Sequence, residues 1–246
     1  MILAAIDIGS NAARLLICEV VIKGKETEFN RLNIVRIPLQ LGFDVFEKGF
    51  IGSRKKKMLI DTIKAYKQLM KVYEVDHYMA CATSAMRDAQ NSKEIIKEIE
   101  AETSIEIEII SGELEAEIIY ENHIAELLDK EHSYLYMDVG GGSTELTLYH
   151  NNELVLQKSV NIGTVRLLTN KVKEETWDEL KDIETELRYL KTNIIKCKNN
   201  NSNSDLILLK QHQLTVSVVV IYSMKYYYFV KHLALYLTYP LTRLFL

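Results

Sequence analysis

Glycine and acid disappear together from the end of this chain. All ten glycines lie at or before Gly163, and from Leu187 onward eight lysines and arginines face a single acid, Asp205. The net charge of −4 is therefore the balance of −11 before residue 187 and +7 after it. Those basic residues are scattered among Leu, Tyr and Val rather than clustered, which argues against nucleic acid or a membrane as partner. Cysteine is also scarce. Cys18, Cys81 and Cys197 stand apart with no CxxC spacing, which excludes a disulfide scaffold or a cysteine-based zinc site and fits a reducing compartment. No long apolar run is present: the uncharged stretch Leu214 to Met224 falls far short of the ~20 residues a membrane span needs. The start, "MILAAIDIGSN", has no basic region and meets Asp7 before an apolar segment can form, so a secretory signal is not expected and a cytoplasmic location is. His77, His123 and His132 are isolated and read as structural or exposed.

What remains is ample for a folded core: 246 residues, 48% hydrophobic and 26% charged, enough for one large or two modest domains. "ILAAID" predicts a short strand ending on Asp7, and Arg14 to Ile22 a second strand after the turn "GSNAA"; a third is expected near Leu32 to Leu39. From Arg54 to Tyr73 the apolar residues Leu59, Ile63, Tyr66, Met70 and Tyr73 recur at three- and four-residue spacing, which predicts an amphipathic helix against that sheet. "HYMACAT" reads as a buried strand, "NSKEIIKEIEAET" as a helix and "IEIEII" as a strand. A helix is expected from about Gly112 to Lys130 with Ser111 as its N-cap.

"AAIDIGSNAARLLI" and "LYMDVGGGSTELTL" are one design used twice: a strand, an Asp at its end, a glycine turn and a new strand. The polar–apolar alternation of "STELTLYH" makes the second turn a hairpin rather than the opening of a helix. Backbone N–H groups in such a turn can nest anionic oxygens, and Gly140, Gly141 and Gly142 permit close approach. Asp7 and Asp138 would then face one another across a cleft, where paired carboxylates suit a divalent cation whose other ligands are phosphate. Taken singly, each Asp is equally an Asx-turn residue. "LVLQKSVNIG" continues the second sheet, a charged amphipathic helix is expected from Glu174 to about Asn193, and "KCKNNNSNSD" reads as a polar linker.

The ordered motifs "DIGSNAARL", "ATSAMRDAQN", "SGELEA", "DVGGGSTEL" and "IGTVRL" resemble the exopolyphosphatase/guanosine pentaphosphate phosphohydrolase family over roughly residues 1 to 195. The resemblance implies an actin-like ATPase (ribonuclease H-like) α/β fold. Residues 1–130 would form the first domain and 131–195 the start of an incomplete second one, with an active cleft between them and an atypical tail over 196–246. It also implies hydrolysis of terminal phosphoanhydride bonds in polyphosphate or guanosine pentaphosphate. Glu115 matches the family's water-activating glutamate. Asp138 and Glu145 match acids that hold Mg2+, with Asp7 nearby, and the cation would neutralise charge on the transferred phosphoryl group. Arg87 resembles an arginine that reaches phosphate oxygens; Arg14 and Arg166 are weaker candidates for that role. Gly9, Ser10, Asn11, Ser143 and Thr144 supply the remaining contacts of the two turns. Homodimers are common in the family.

Without the resemblance, Glu115 is one acid of a solvated face with Glu113, Glu117 and Glu121, and Arg87 a surface partner for Asp88. Leu114 stands where the family often has a second acid. The competing readings are a sugar kinase or ATPase of the same superfamily and a catalytically impaired binding protein.

The family's second domain continues into a strand and another glycine turn, "GGN" followed by Ile, which this chain lacks. If Ser217 to Ser223, "SVVVIYS", is written TCN GTG GTG GTA ATA TAT TCN and read one base back, it yields Gly-Gly-Asn-Ile-Phe. Those codons are our choice, each allowed by degeneracy. The expectation is a frame change between about Asn193 and Thr215; a membrane tail and a genuine strand "VSVVVIY" are the rivals.

Overall fold

The computed structural model describes residues 1–23, 26–120, 133–150, 153–201 and 217–220. Strands β1 (Ile2–Ile8), β2 (Ala13–Lys23) and β3 (Glu26–Ile37) form an antiparallel meander. Helices α1 (Leu41–Lys48) and α2 (Ser53–Val72) lead to β4 (His77–Ala82), which runs parallel to β1. After α3 (Ser84–Asp88) and α4 (Ser92–Thr103), the short β5 (Glu108–Ile109) completes the sheet order β3-β2-β1-β4-β5. Helix α5 (Gly112–Tyr120) follows; the rest of the helix expected to Lys130 lies outside the described residues.

The second sheet repeats the first. Strands β6 (Ser133–Val139), β7 (Thr144–His150) and β8 (Glu153–Val160) again make a meander, followed by α6 (Thr164–Leu168) and α7 (Glu174–Asn201). Then β9 (Ser217–Val220) pairs parallel with β6, giving the order β8-β7-β6-β9. It occupies the place β4 has beside β1. This duplicated layout is the actin-like fold that the motif order implied.

Burial explains the central strands. Leu3, Ala4, Ala5, Ile6 and Ile8 are all fully buried because β1 is covered on both faces. Ala4, Ile6 and Ile8 pack with Leu59, Ile63 and Tyr66 of α2; Leu3 and Ala5 face Leu16, Cys18 and Ile118 on the other side. Tyr66 adds a polar tie, its hydroxyl donating to the Ala13 carbonyl at 3.0 Å. Burial raises that phenol well above its ordinary pKa, so it stays a donor.

Three expectations change. α7 runs on through Lys196–Asn201, where the sequence read a linker: extending an existing helix adds one hydrogen bond per residue, and asparagine costs it only a few tenths of a kcal/mol. The third strand starts at Glu26 rather than Leu32, held by its ladder to β2. Ser217–Val220, favoured in the sequence as a displaced glycine turn, forms a strand as written. Most of the remaining tail lies outside the described residues.

Candidate functional site

The two glycine turns are built alike. In the first, Gly9 N–H donates to Ala12 O at 3.0 Å; in the second, Gly140 N–H donates to Ser143 O at 2.9 Å. Each turn is then gripped from behind by the start of a short helix. Gln40 N–H and Gly42 N–H, at the head of α1, donate to Asn11 O and Ser10 O, both at 2.8 Å. Thr164 N–H and Val165 N–H, at the head of α6, donate to Gly140 O at 3.0 Å and Gly141 O at 2.8 Å. Arg166 Nε takes the next carbonyl, Gly142 O, at 2.6 Å.

This grip aims the amides. A trans peptide sends its C=O and the following N–H in opposite directions. Holding the carbonyls of Ser10 and Asn11 turns the N–H groups of Asn11 and Ala12 away from α1. Holding those of Gly140 to Gly142 turns the N–H groups of Gly141, Gly142 and Ser143 away from α6. Among the described residues no acceptor takes these five N–H groups. Such convergent donors make a nest for anionic oxygens. Glycine is required for the closeness: a Cβ on Gly142 would lie 2.3 Å from Ser84 Oγ, and one on Gly163 2.4 Å from the Gly141 carbonyl carbon.

Both turns open on a cleft of about 260 Å³. It is lined by Asp7, Gly9, Ser10, Asn11 and Arg14 of the first half and by Asp138, Gly140, Gly141, Ser143 and Glu145 of the second, with Glu115. The β1–β2 register sets Asp7 opposite Arg14, and that of β6–β7 sets Asp138 opposite Glu145. Thus the first half pairs its acid with a base, at 3.0 Å from Arg14 Nη1 to Asp7 Oδ2, and the second pairs acid with acid. Burial first, then the charges of Glu145 and Asp7, push the Asp138 carboxyl up to about 7, against the pull of Arg14. Burial likewise raises Glu145, although Ser143, the Ser159 hydroxyl at 3.1 Å and the Arg87 charge oppose it.

Glu115 is brought to the cleft by α5, whose N-cap is Ser111 as expected: its Oγ accepts from Leu114 N–H at 3.0 Å. Only 3% of Glu115 is exposed. Arg87 Nη1 donates to Glu115 Oε2 at 2.9 Å and to Ile110 O at 2.8 Å. Arg87 is thus neither a surface partner of Asp88 nor a lining residue of the cleft; it holds Glu115 from behind.

Arg166 also departs from the phosphate-contacting role. Its guanidinium is spent on Gly142 O, on the Asp88 carboxylate and on the Phe46 ring, whose centroid is 4.0 Å from Cζ. Nor do Gly142 and Thr144 line the cleft. Gly142 packs on the Ser10–Ser84 pair, and Thr144 Oγ1 donates to Ile162 O at 2.5 Å. Thr83, Ser84 and Thr164 do line it. Ser84 Oγ lies 2.7 Å from Ser10 Oγ, a buried hydroxyl pair. The first two stand inside "ATSAMRDAQN", where the arginine drew the attention; the only sequence signal was a pair of hydroxyls after a buried strand.

The donor set suits a hard cation. No three His, Cys, Asp or Glu side chains among the described residues close on one point as a full protein cage. Mg2+ needs none, since it keeps several waters and takes one or two carboxylates plus phosphate. Among the described residues Asp7 Oδ1 is buried without a hydrogen-bond partner, and Asp138 and Glu145 hold carboxylates that repel each other; an inserted cation would relieve both.

The chain is similar to several known proteins. A bifunctional 3-dehydroquinate synthase/phosphatase of Fusobacterium nucleatum is 33% identical over 205 residues, covering 74% of this chain and 30% of its own length. A guanosine-5'-triphosphate,3'-diphosphate pyrophosphatase of Aeromonas hydrophila is 30% identical over 173 residues, covering 68% and 33% respectively. Exopolyphosphatase 1 of Mycobacterium tuberculosis is 29% identical over 167 residues, covering 68% and 48%. The chain thus spans about a third to a half of these relatives. The crystal structure of an exopolyphosphatase from Cytophaga hutchinsonii superposes with a TM-score of 0.63 at 29% identity, over 80% of this chain and 64% of that one. Because the model of the Ppx/GppA phosphatase family matches residues 20–224, the greater part of its length, this chain belongs to the Ppx/GppA phosphatase family.

Proposed function

We propose that the chain hydrolyses the terminal phosphoanhydride bond of inorganic polyphosphate or guanosine pentaphosphate. The observation that carries this reading is that two anion-nesting turns face one cleft with a buried glutamate beside them. The amides of Asn11, Ala12, Gly141 and Ser143, all lining the cleft, hold the non-bridging oxygens of the terminal phosphates, and Arg14 adds the cationic contact. Glu115, oriented by Arg87, accepts a proton from water as its oxygen bonds to the terminal phosphorus. The bridging P–O bond breaks and its electron pair leaves with the shortened chain, releasing orthophosphate. A pair drawn from Asp138, Glu145 and Asp7, with water and phosphate, would hold Mg2+, which when bound offsets the charge on the transferred phosphoryl group. The names of the Aeromonas and Mycobacterium relatives support this class of substrate.

Phosphate release from long-chain polyphosphate and from guanosine pentaphosphate, with Mg2+ and then with chelator, tests the reading. Glu115→Gln should lower kcat at least ~100-fold, the low end of what a positioned general base contributes, while substrate binding persists. Equal rates from parent and variant would remove the catalytic claim and leave a binding protein. The frame change between Asn193 and Thr215 stays a proposal about the gene. A family match reaching residue 224 weighs against it, and resequencing that interval decides it.

A further inference from the structure

We propose that Arg166 is a positioning residue that ties the orientation of the second phosphate turn to the seating of the two halves on one another. It sits on α6 of the second half, 7% exposed, and its three contacts divide across the molecule. Nε donates to Gly142 O at 2.6 Å, within its own half. Nη2 pairs with Asp88 at the end of α3, and Cζ lies 4.0 Å from the centroid of the Phe46 ring of α1, both in the first half. The peptide joining Gly142 to Ser143 is the one whose N–H must point into the cleft, and its carbonyl has no other grip among the described residues. The Gly140 and Gly141 carbonyls are held by backbone amides of α6, which no side-chain change can remove. The Gly142 carbonyl alone depends on a side chain, and that side chain is fixed by the opposite half.

Seating the halves therefore sets the Ser143 amide; parting them releases Arg166 from Asp88 and Phe46 and lets that peptide rotate. Arginine is needed chemically. Lysine keeps the charge but lacks the planar fork that serves three directions at once. Gly42 belongs to the same seam, since a Cβ there would lie 3.2 Å from Val165 Cγ1 across the boundary.

The inference rests on the phosphate-binding reading of the cleft, so its test uses one ligand-dependent and one ligand-free measurement. Inorganic pyrophosphate with Mg2+ is titrated calorimetrically into the parent, Arg166→Lys, Arg166→Ala and Asp88→Asn. We expect affinity to fall about tenfold in Arg166→Lys, further in Arg166→Ala with partial recovery on adding guanidinium ion, and about threefold in Asp88→Asn. Asp88 is 42% exposed in its side chain, so that variant folds even if the arginine variants do not. Amide 1H–15N spectra without ligand should show Ser143 shifted in each folded variant while Gly141 stays in place. Unchanged Ser143 resonances, or pyrophosphate affinity in Arg166→Lys and Asp88→Asn within the error of the parent, overturn the inference. A parent that binds no pyrophosphate overturns the functional reading instead, and the Ser143 shifts then decide the positioning role alone.

Discussion

Cys18 pairs across the ladder with Leu3 and is fully buried against Leu16 and Ile118. Burial pushes its thiol up to about 11, against a weak opposing pull from Arg31. At pH 8 only about one molecule in a thousand would carry the reactive thiolate there. Iodoacetamide at that pH should leave Cys18 unmodified in the native protein and label it fully once denatured, as peptide mass spectrometry would show; native labelling within minutes would contradict the packing. The folded thiol holds its proton more tightly than the unfolded one, so its contribution to stability is present below about pH 9 and is lost as the pH rises toward 11. Other residues gain meaning only from their surroundings. Glu115 is one of three acids in α5, with Glu113 and Glu117, and nothing in spacing sets it apart. Its 3% exposure comes from α5 lying between the first sheet's outer face and strands β7 and β8. Asp7 and Asp138 needed no such help, because the same turn occurs twice.

Among the elements, the long ones were legible and the short ones were not. The apolar spacing of Leu59, Ile63, Tyr66 and Met70 predicted α2 within a residue at either end. Helices α1, α3 and α6 are five to eight residues long, too short for a period to register, yet α1 and α6 orient the two glycine turns. The seat of α6 makes a sharp prediction. Gly163→Ala would place a methyl 2.4 Å from the Gly141 carbonyl carbon, backbone against backbone, so the helix must lift off the turn. The cost should be about 2–3 kcal/mol, seen as a loss of at least ~4 °C in Tm. Gly9→Ala meets only Ala12 O at 3.4 Å and should melt within about 1 °C of the parent. If the two variants melt alike, the close approach at Gly163 is not what fixes α6.

At the scale of the molecule, the halves meet through α1 on α6 and through α5 on the second sheet. None of the described helices is long and apolar enough to cross a membrane. The second half shows apolar surface near this seam's far end, with Leu168 75% exposed, Leu167 45% and Trp177 39%. An expectation of poor solubility follows from that exposure. Leu168→Glu should raise the protein concentration reached before precipitation about twofold or more, with Tm within ~2 °C of the parent, because little packing is lost at so exposed a site. A fall in Tm of more than that would mean Leu168 is covered in solution.

The sequence by itself determined the duplication, the placing of Asp7 and Asp138 one residue before their strand ends, the glycine turns and the family, because each is written in local order: hydrophobic period, turn chemistry and motif spacing act between neighbours in the chain. Tertiary structure alone decided that Arg87 braces Glu115 and that Arg166 faces Asp88 and Phe46 instead of lining the cleft. These pairings join residues 28, 78 and 120 positions apart, and whether a guanidinium meets a ligand or a carboxylate depends on which surfaces packing brings together.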